Sequence, residues 1–237
     1  MKKFQPRRVR GRRIIMKHAV LILAIVIAVV TLDAAGQVAR QFPEPGQVKD
    51  ERARAELEVP YLVDVLRLKP GMTVADVGAG FGPHSVVLAK WIGDGKVFAT
   101  DIAQRQLTVI REYVEKEGVK NVTVLEGGIA ATNLPPDCCN AIFMRDVYHH
   151  ITAVDAFDKS LFASVKSGGR LAILDFVPTP GSKLPAGVPE NRVGHGIPMA
   201  VVEAELTAAG FRHLQTVDRW PLGDQREDLF LVLFEKP

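Results

Sequence analysis

"VADVGAGFGPHS", Val74 to Ser85, decides the fold. A short apolar run ends in an acid, Asp76, and glycines follow at alternate positions, Gly78, Gly80 and Gly82, before a helical stretch begins. Glycine lets a ligand come close to the backbone, so a strand that turns through glycines into a helix is a nucleotide-binding opening. The dinucleotide fingerprint G-x-G-x-x-G would need a glycine at 83, and the residue there is Pro83. The spacing is instead D-x-G-x-G-x-G.

Working outward, apolar strands alternate with helices. Val74–Val77 reads as a strand and His84–Trp91 as a helix. Lys96–Thr100 is a strand, Gln104–Glu117 an amphipathic helix, and Val122–Leu125 and Ala141–Met144 are strands. Val154–Val165 is a helix and Leu171–Phe176 a strand. This rhythm means a parallel sheet covered by helices on both faces. The Pro- and Gly-rich stretch from Val177 to Pro198 then breaks it, and a loop so long in a compact domain is usually functional or disordered. A helix over Met199–Ala209 and two strands, near Phe211–Asp218 and Leu229–Phe234, close the chain, the strands joined by "PLGDQ". Upstream, Asp50–Leu68 is loosely helical, with Pro60 as a kink or restart.

Asp76 selects among nucleotides. A carboxylate beside the loop repels phosphate and favours a cationic ligand that has none. S-adenosylmethionine, with its sulfonium, ammonium and adenosine, is such a ligand. Asp101, 19 residues after Gly82, ends the second strand, where an acid can accept hydrogen bonds from ribose hydroxyls.

With these residues in place, the chain resembles the class I S-adenosylmethionine-dependent methyltransferases from about Asp50 to its C-terminus. "VADVGAGFG" matches the family's first motif and "ATDI" its second. "RDVYHHI", Arg145 to Ile151, looks like the segment after the fourth strand in a group of small-molecule methyltransferases, several of them exported. "SGGRLAILDF" matches the fifth-strand region. The resemblance implies a Rossmann-like α/β fold, a doubly wound seven-stranded sheet with its last strand antiparallel. It implies a cofactor site of Asp76, Gly78, Ala79, Gly80, Gly82, Asp101, Ile102, Gly128, Ile129 and Arg145. Two departures stand out. Gly127 and Gly128 occupy the place where the family often has an acid for the adenine, leaving Glu126, or the backbone and Ile129, to hold it. Asn140 stands where an Asp, mainly structural, is common.

Methyl transfer asks chiefly for positioning, with a base only if the acceptor must lose a proton. The base candidates are Asp146, His149, His150 and His195, with Tyr148 as a pocket wall and Arg192 beside His195 in the long loop. Histidines that merely pack inward or cap a helix are the competing reading. His84, just past the glycines, reads equally as a helix-start residue or a cofactor contact. No metal is expected: Cys138 and Cys139 are adjacent, without ligands at a recognised spacing, and read as small residues entering a strand. Two function classes fit, an enzyme acting on a small-molecule acceptor and a domain that binds the cofactor without catalysis.

Residues 1–36 read as a leader: a basic front from Lys2 to Lys17, the apolar run Ala19–Val30, then Ala34, Ala35 and Gly36. The run would rise about 18 Å as a helix, against a hydrocarbon layer of roughly 30 Å. A cleaved signal and a retained anchor both fit, and "GRRIIMK" resembles a twin-arginine signal or an ordinary basic one. The expected location is therefore outside the cytoplasm, periplasmic or secreted, with the anchor reading adding membrane association. Residues 37–50 read as a linker and 51–237 as the domain. The leader holds eight of the 30 basic residues and one of the 27 acidic ones, so the remainder carries 22 against 26, a net of −4. That balance, with no basic cluster, excludes a nucleic-acid footprint.

Overall fold

The computed structural model describes residues 45–220 and 229–237. The expected leader, most of the linker and "PLGDQ" lie outside the described residues. The chain runs α1 (Pro45–Leu66), β1 (Thr73–Val77), α2 (Pro83–Ile92), β2 (Lys96–Asp101), α3 (Gln104–Lys116), β3 (Val122–Glu126) and β4 (Cys139–Arg145). A short 3-10 turn, Tyr148–His150, leads to α4 (Val154–Ser164) and β5 (Val165–Phe176). A second 3-10 turn, Glu190–Arg192, interrupts the long loop before α5 (Met199–Ala208), β6 (Arg212–Val217) and β7 (Leu229–Glu235).

The seven strands form one sheet in the order β3-β2-β1-β4-β5-β7-β6. Neighbours pair in parallel except β7, which is antiparallel to both β5 and β6. The expected doubly wound sheet with an antiparallel last strand is what forms. Its core lies on both faces. Leu62, Leu66, Leu88 and Ile92 of α1 and α2 pack with Val74, Phe143 and Leu231 on one side. Phe157, Leu161, Val202 and Leu206 of α4 and α5 pack with Ala75, Ile142 and Phe230 on the other.

Two boundaries differ from the sequence reading. Helix α1 begins inside the expected linker and runs through Pro60 without a break. An internal proline costs roughly 3 kcal/mol. Here Val59, Leu62, Val63 and Leu66 are buried around it, and packing outweighs that cost. Strand β5 starts at Val165, well before Leu171, because its ends are held from both sides: Val165 pairs with Cys139, and the pairing then jumps to Arg170 with Ala141. Within the irregular stretch, the Gly168 amide donates to the Lys236 carbonyl at 2.7 Å and the Lys236 amide donates to the Gly169 carbonyl at 2.9 Å. A run of Lys, Ser and two glycines has little strand propensity, so sequence alone does not show it.

Candidate active site

The sheet changes direction of winding between β1 and β4, where open α/β sheets bind ligands at their carboxyl ends. The glycine loop lies there. The Gly78 and Ala79 amides both donate to the Thr100 carbonyl at 2.8 Å, tying the loop to β2. Gly82 caps α2 in a left-handed conformation, and Pro83 supplies the first helical position. Gly78 is needed for a different reason: a Cβ there would lie 2.5 Å from Val147 Cγ2. The loop therefore abuts the segment that follows β4. Around a Cβ at Gly80, by contrast, no atom of the described residues beyond its own chain neighbours lies within 4 Å, and its φ of +57° favours glycine. Open space above the central glycine is the cradle that a bound ligand would fill.

Asp76 is buried and accepts a 2.6 Å hydrogen bond from Ser85 Oγ. Burial pushes its carboxyl up to about 6, with the nearby His84 and the Ser85 bond opposing. Asp101 Oδ2 accepts from the Gly80 amide at 3.2 Å and Oδ1 from the Ala103 amide at 3.0 Å, so this acid sits directly against the loop. Beyond it, Ile102 and Ile129 are 63% and 66% exposed, unusual for isoleucine, at the ends of paired strands β2 and β3. A Cβ on Gly127 would meet Ile102 Cγ2 at 3.8 Å. Gly128 turns back through its amide to the Ala131 carbonyl, and Glu126 is exposed. Two bare isoleucines beside a carboxylate suit a flat aromatic base joined to a ribose.

Glu58, on α1, was not anticipated. It is fully buried and accepts from Arg145 Nε at 2.7 Å, Arg145 Nη2 at 3.0 Å and His84 Nε2 at 2.9 Å. Burial alone would raise its carboxyl, but the hydrogen bonds and charges of His84 and Arg145 outweigh that and hold it below the ordinary range. Arg145 and His84 are thus fixed from beneath by α1. The signal was present in the sequence as an acid among the apolar positions of a helix, but its partners are far along the chain.

The structure brings three of the acceptor-side candidates together. His149 is buried; its amide and Nδ1 both face Asp175, at 3.0 Å to Oδ2 and 2.8 Å to Oδ1. Its Nε2 is buried without a hydrogen-bond partner among the described residues. The His149 ring centroid lies 3.9 Å from that of His150 and 4.9 Å from that of His195. Asp146, held in a left-handed conformation with φ of 60°, places a carboxylate oxygen within 4.8 Å of ligand atoms on His149 and Asp175. His195 is positioned by the folded long loop: its amide donates to Ser182 Oγ at 2.8 Å and its carbonyl accepts from the Thr179 amide at 3.0 Å.

Arg192 departs from expectation. Rather than facing an acceptor, its side chain is fully buried, paired with Glu205 and lying 5.7 Å from the centre of the Tyr148 ring. It pins the loop onto α5. Tyr148 is buried too, and its hydroxyl reaches Asp158 Oδ2 at 2.9 Å and Glu205 Oε2 at 3.1 Å. Burial, with Glu205 adding to it, pushes Asp158 up to about 7, against the opposing Tyr148 bond and Arg192 charge.

Comparison with known proteins agrees with this geometry. A family model described as a methyltransferase domain matches residues 74–169. A solved S-adenosylmethionine-dependent methyltransferase from Aquifex aeolicus superposes with a TM-score of 0.64 and is 28% identical, covering 83% of this chain and all of that one. Residues 74–169 are a methyltransferase domain, and the fold is that of the class I S-adenosylmethionine-dependent methyltransferases. The class I domain is also 30% identical, over 118 residues, to a ubiquinone/menaquinone biosynthesis C-methyltransferase of Vibrio campbellii. That match covers 49% of this chain and 46% of the Vibrio protein, so the chain spans about half the length of the curated relatives it matches. Phosphoethanolamine N-methyltransferase 1 of Zea mays is 31% identical over 73% of this chain and 33% of its own length.

Against the class I pattern, the Asn140 departure has a structural use, since its Oδ1 accepts from the Thr73 amide at 3.0 Å and from Lys166 Nζ at 3.4 Å. Cys139 opens β4, as expected of a small residue entering a strand, and its hydrogen bond with Cys138, with burial adding to it, pushes its thiol up. Both cysteines are free.

Proposed function

We propose that this class I domain binds S-adenosylmethionine on the Gly78–Gly82 loop and transfers its methyl group to a small-molecule acceptor held against His149, His150 and His195. The observation that carries the reading is Asp101, whose carboxylate accepts from the Gly80 amide where the glycine loop leaves room for a ligand. Asp101 would take the ribose hydroxyls, Ile102, Gly128 and Ile129 the base, and Asp76 the charge of the amino-acid end. Arg145, fixed by Glu58, borders the same end. When bound, the cofactor supplies an activated methyl carbon. The chain's own work is to orient the acceptor in line with that carbon and to receive a proton, for which neutral imidazoles are suited near pH 7. On this reading the loop from Val177 to Pro198, which carries His195 to within 4.9 Å of the His149 ring centroid, would cover the acceptor and limit water there.

Fold alone does not fix the reaction: a [4+2]-cyclase shares this fold at 18% identity, with a TM-score of 0.57. The test is therefore twofold. Calorimetric titration with S-adenosylmethionine should show binding that Asp101→Ala weakens by about 1–3 kcal/mol, the cost of unpaired ribose hydroxyls. A panel of oxygen, nitrogen, sulfur and carbon acceptors with labelled donor should show transfer to at least one. Unchanged affinity in folded Asp101→Ala removes Asp101 from the site. Binding with no transfer leaves a cofactor-binding domain instead. The same proposal places the domain outside the cytoplasm, on the basic and apolar pattern of residues 1–36; fractionation and N-terminal sequencing of the full chain check it.

A further inference from the structure

We propose that His149, His150 and His195 form a three-imidazole site for a divalent transition metal of the zinc class, with one coordination position left open on the acceptor side of the crevice. One nitrogen from each ring lies within 4.8 Å of the others. Three features separate this from histidines that happen to be near each other.

The first is His149. Its Nδ1 is engaged by Asp175 at 2.8 Å, which leaves Nε2 as the other ring nitrogen, and Nε2 is buried with no hydrogen-bond partner among the described residues. Leaving a buried polar atom unpaired costs about 1–3 kcal/mol, and a metal bond would remove that cost. The second is Asp175 itself. A carboxylate that holds the far nitrogen of a metal-binding histidine fixes the ring and makes it a better ligand. Asp175 is fully buried, and its Oδ1 also accepts from the Phe176 amide at 2.9 Å, so it cannot swing away. The third is the backbone. A 3-10 turn sets His149 and His150 side by side, and Gly194 and Gly196, both at positive φ, flank His195. A Cβ at Gly196 would lie 2.8 Å from the Val177 carbonyl oxygen, so the close turn that presents His195 needs glycine there.

The geometry requires a modest closure. Tetrahedral zinc with bonds of about 2.0–2.1 Å sets its nitrogens about 3.3 Å apart. Nitrogens now up to 4.8 Å apart would have to move inward by roughly 1 Å, which rotation of the exposed His150 and His195 supplies. Three neutral imidazoles and an open position suit zinc, cobalt or copper better than magnesium or calcium, which prefer oxygen. With the metal bound the rings act as ligands rather than as bases, and an acceptor thiol or hydroxyl on the open position would lose its proton more readily, to solvent.

The site is a claim about metal binding and stands whether or not methyl transfer is found. The full chain, stripped with a chelator, is titrated with Co2+ and followed by visible absorbance, then challenged with Zn2+. The expected result is one metal per chain, displaced by zinc. His150→Ala and His195→Ala should each weaken binding at least about tenfold with circular dichroism unchanged, and Asp175→Asn should weaken it about 10–100-fold. His213→Ala, on β6, should bind as the parent does. No Co2+ spectrum in the parent chain, or equal affinity in the parent, His150→Ala and His195→Ala, overturns the proposal.

Discussion

Glu58 on α1 accepts two hydrogen bonds from Arg145 at the end of β4, at 2.7 and 3.0 Å, and a third from His84 at the start of α2. One buried carboxylate thus clamps the first helix to two elements that border the cofactor loop. Removing one partner of a buried ion pair costs about 3–5 kcal/mol, because the remaining charge is stranded. Glu58→Ala should therefore lose that much stability in urea and also weaken S-adenosylmethionine binding, since Arg145 and His84 lose their support. Glu58→Gln, which keeps an acceptor, should lose less. An alanine variant as stable as the parent would remove the clamp from the account.

The two loop glycines should fail in different ways. Gly80 faces open space, so Gly80→Val should leave a folded domain that no longer binds S-adenosylmethionine, with only the cost of a positive φ for a branched residue, about 1–2 kcal/mol. Gly78→Val places carbon against Val147 and should lower the melting temperature sharply. Melting and calorimetric titration of both variants separate the effects. Native affinity in Gly80→Val would show that the cofactor does not lie over this glycine.

Much of this was legible in the sequence because strand period and glycine spacing are local signals. Val74–Val77, Lys96–Asp101 and the D-x-G-x-G-x-G loop announce themselves within a few residues. The rest depends on tertiary partners. Nothing local marks Glu58, because its partner Arg145 is 87 residues away. Arg192 read as lying beside the acceptor because in the family this region commonly covers it; the buried Tyr148 and Asp158 and the half-buried Glu205 are what draw it inward. The histidines were legible as base candidates, but the hold of Asp175 on His149 Nδ1 depends on a partner 26 residues away.

Asp158 offers a pH test. The single hydroxyl proton of Tyr148 cannot be donated to both Asp158 and Glu205. A proton on Asp158, donated to the Tyr148 oxygen, resolves the conflict by freeing the phenol proton for Glu205. With a folded-state value of about 7 against an ordinary 3.8, Asp158 holds a proton that the unfolded chain releases earlier. Its stabilising contribution is full below about 3.8 and is lost as pH rises to about 7, on the order of 1–4 kcal/mol across that window. Asp158→Asn mimics the protonated form. Its stability relative to the parent should rise between pH 5 and pH 8, by thermal melting across that range. A pH-independent difference would place the proton elsewhere.

The last prediction concerns what the three imidazoles do in turnover. His149 is set by Asp175, and Val147, two residues before it, touches the glycine loop, so the rings stand close to where the methyl carbon would be. The glycines and Asp101 are the groups proposed to hold the cofactor, and the three rings the groups proposed to face the acceptor. Alanine at His150 or His195 should therefore lower turnover by a larger factor than it lowers S-adenosylmethionine affinity. His149→Ala should do the same and also lose stability, because it empties a buried position and strands Asp175. Histidines that only pack predict the opposite pattern: lower melting temperature with turnover per folded molecule unchanged. Asp175→Asn sharpens the distinction, since it keeps volume but weakens the hold on His149 Nδ1; a positioning role predicts reduced turnover with near-normal cofactor affinity. The decisive measurements are cofactor affinity, melting temperature and turnover on all four variants, made with and without added zinc. If turnover follows only the amount of folded protein in each, the acceptor does not sit against these rings and must be sought on another part of the crevice.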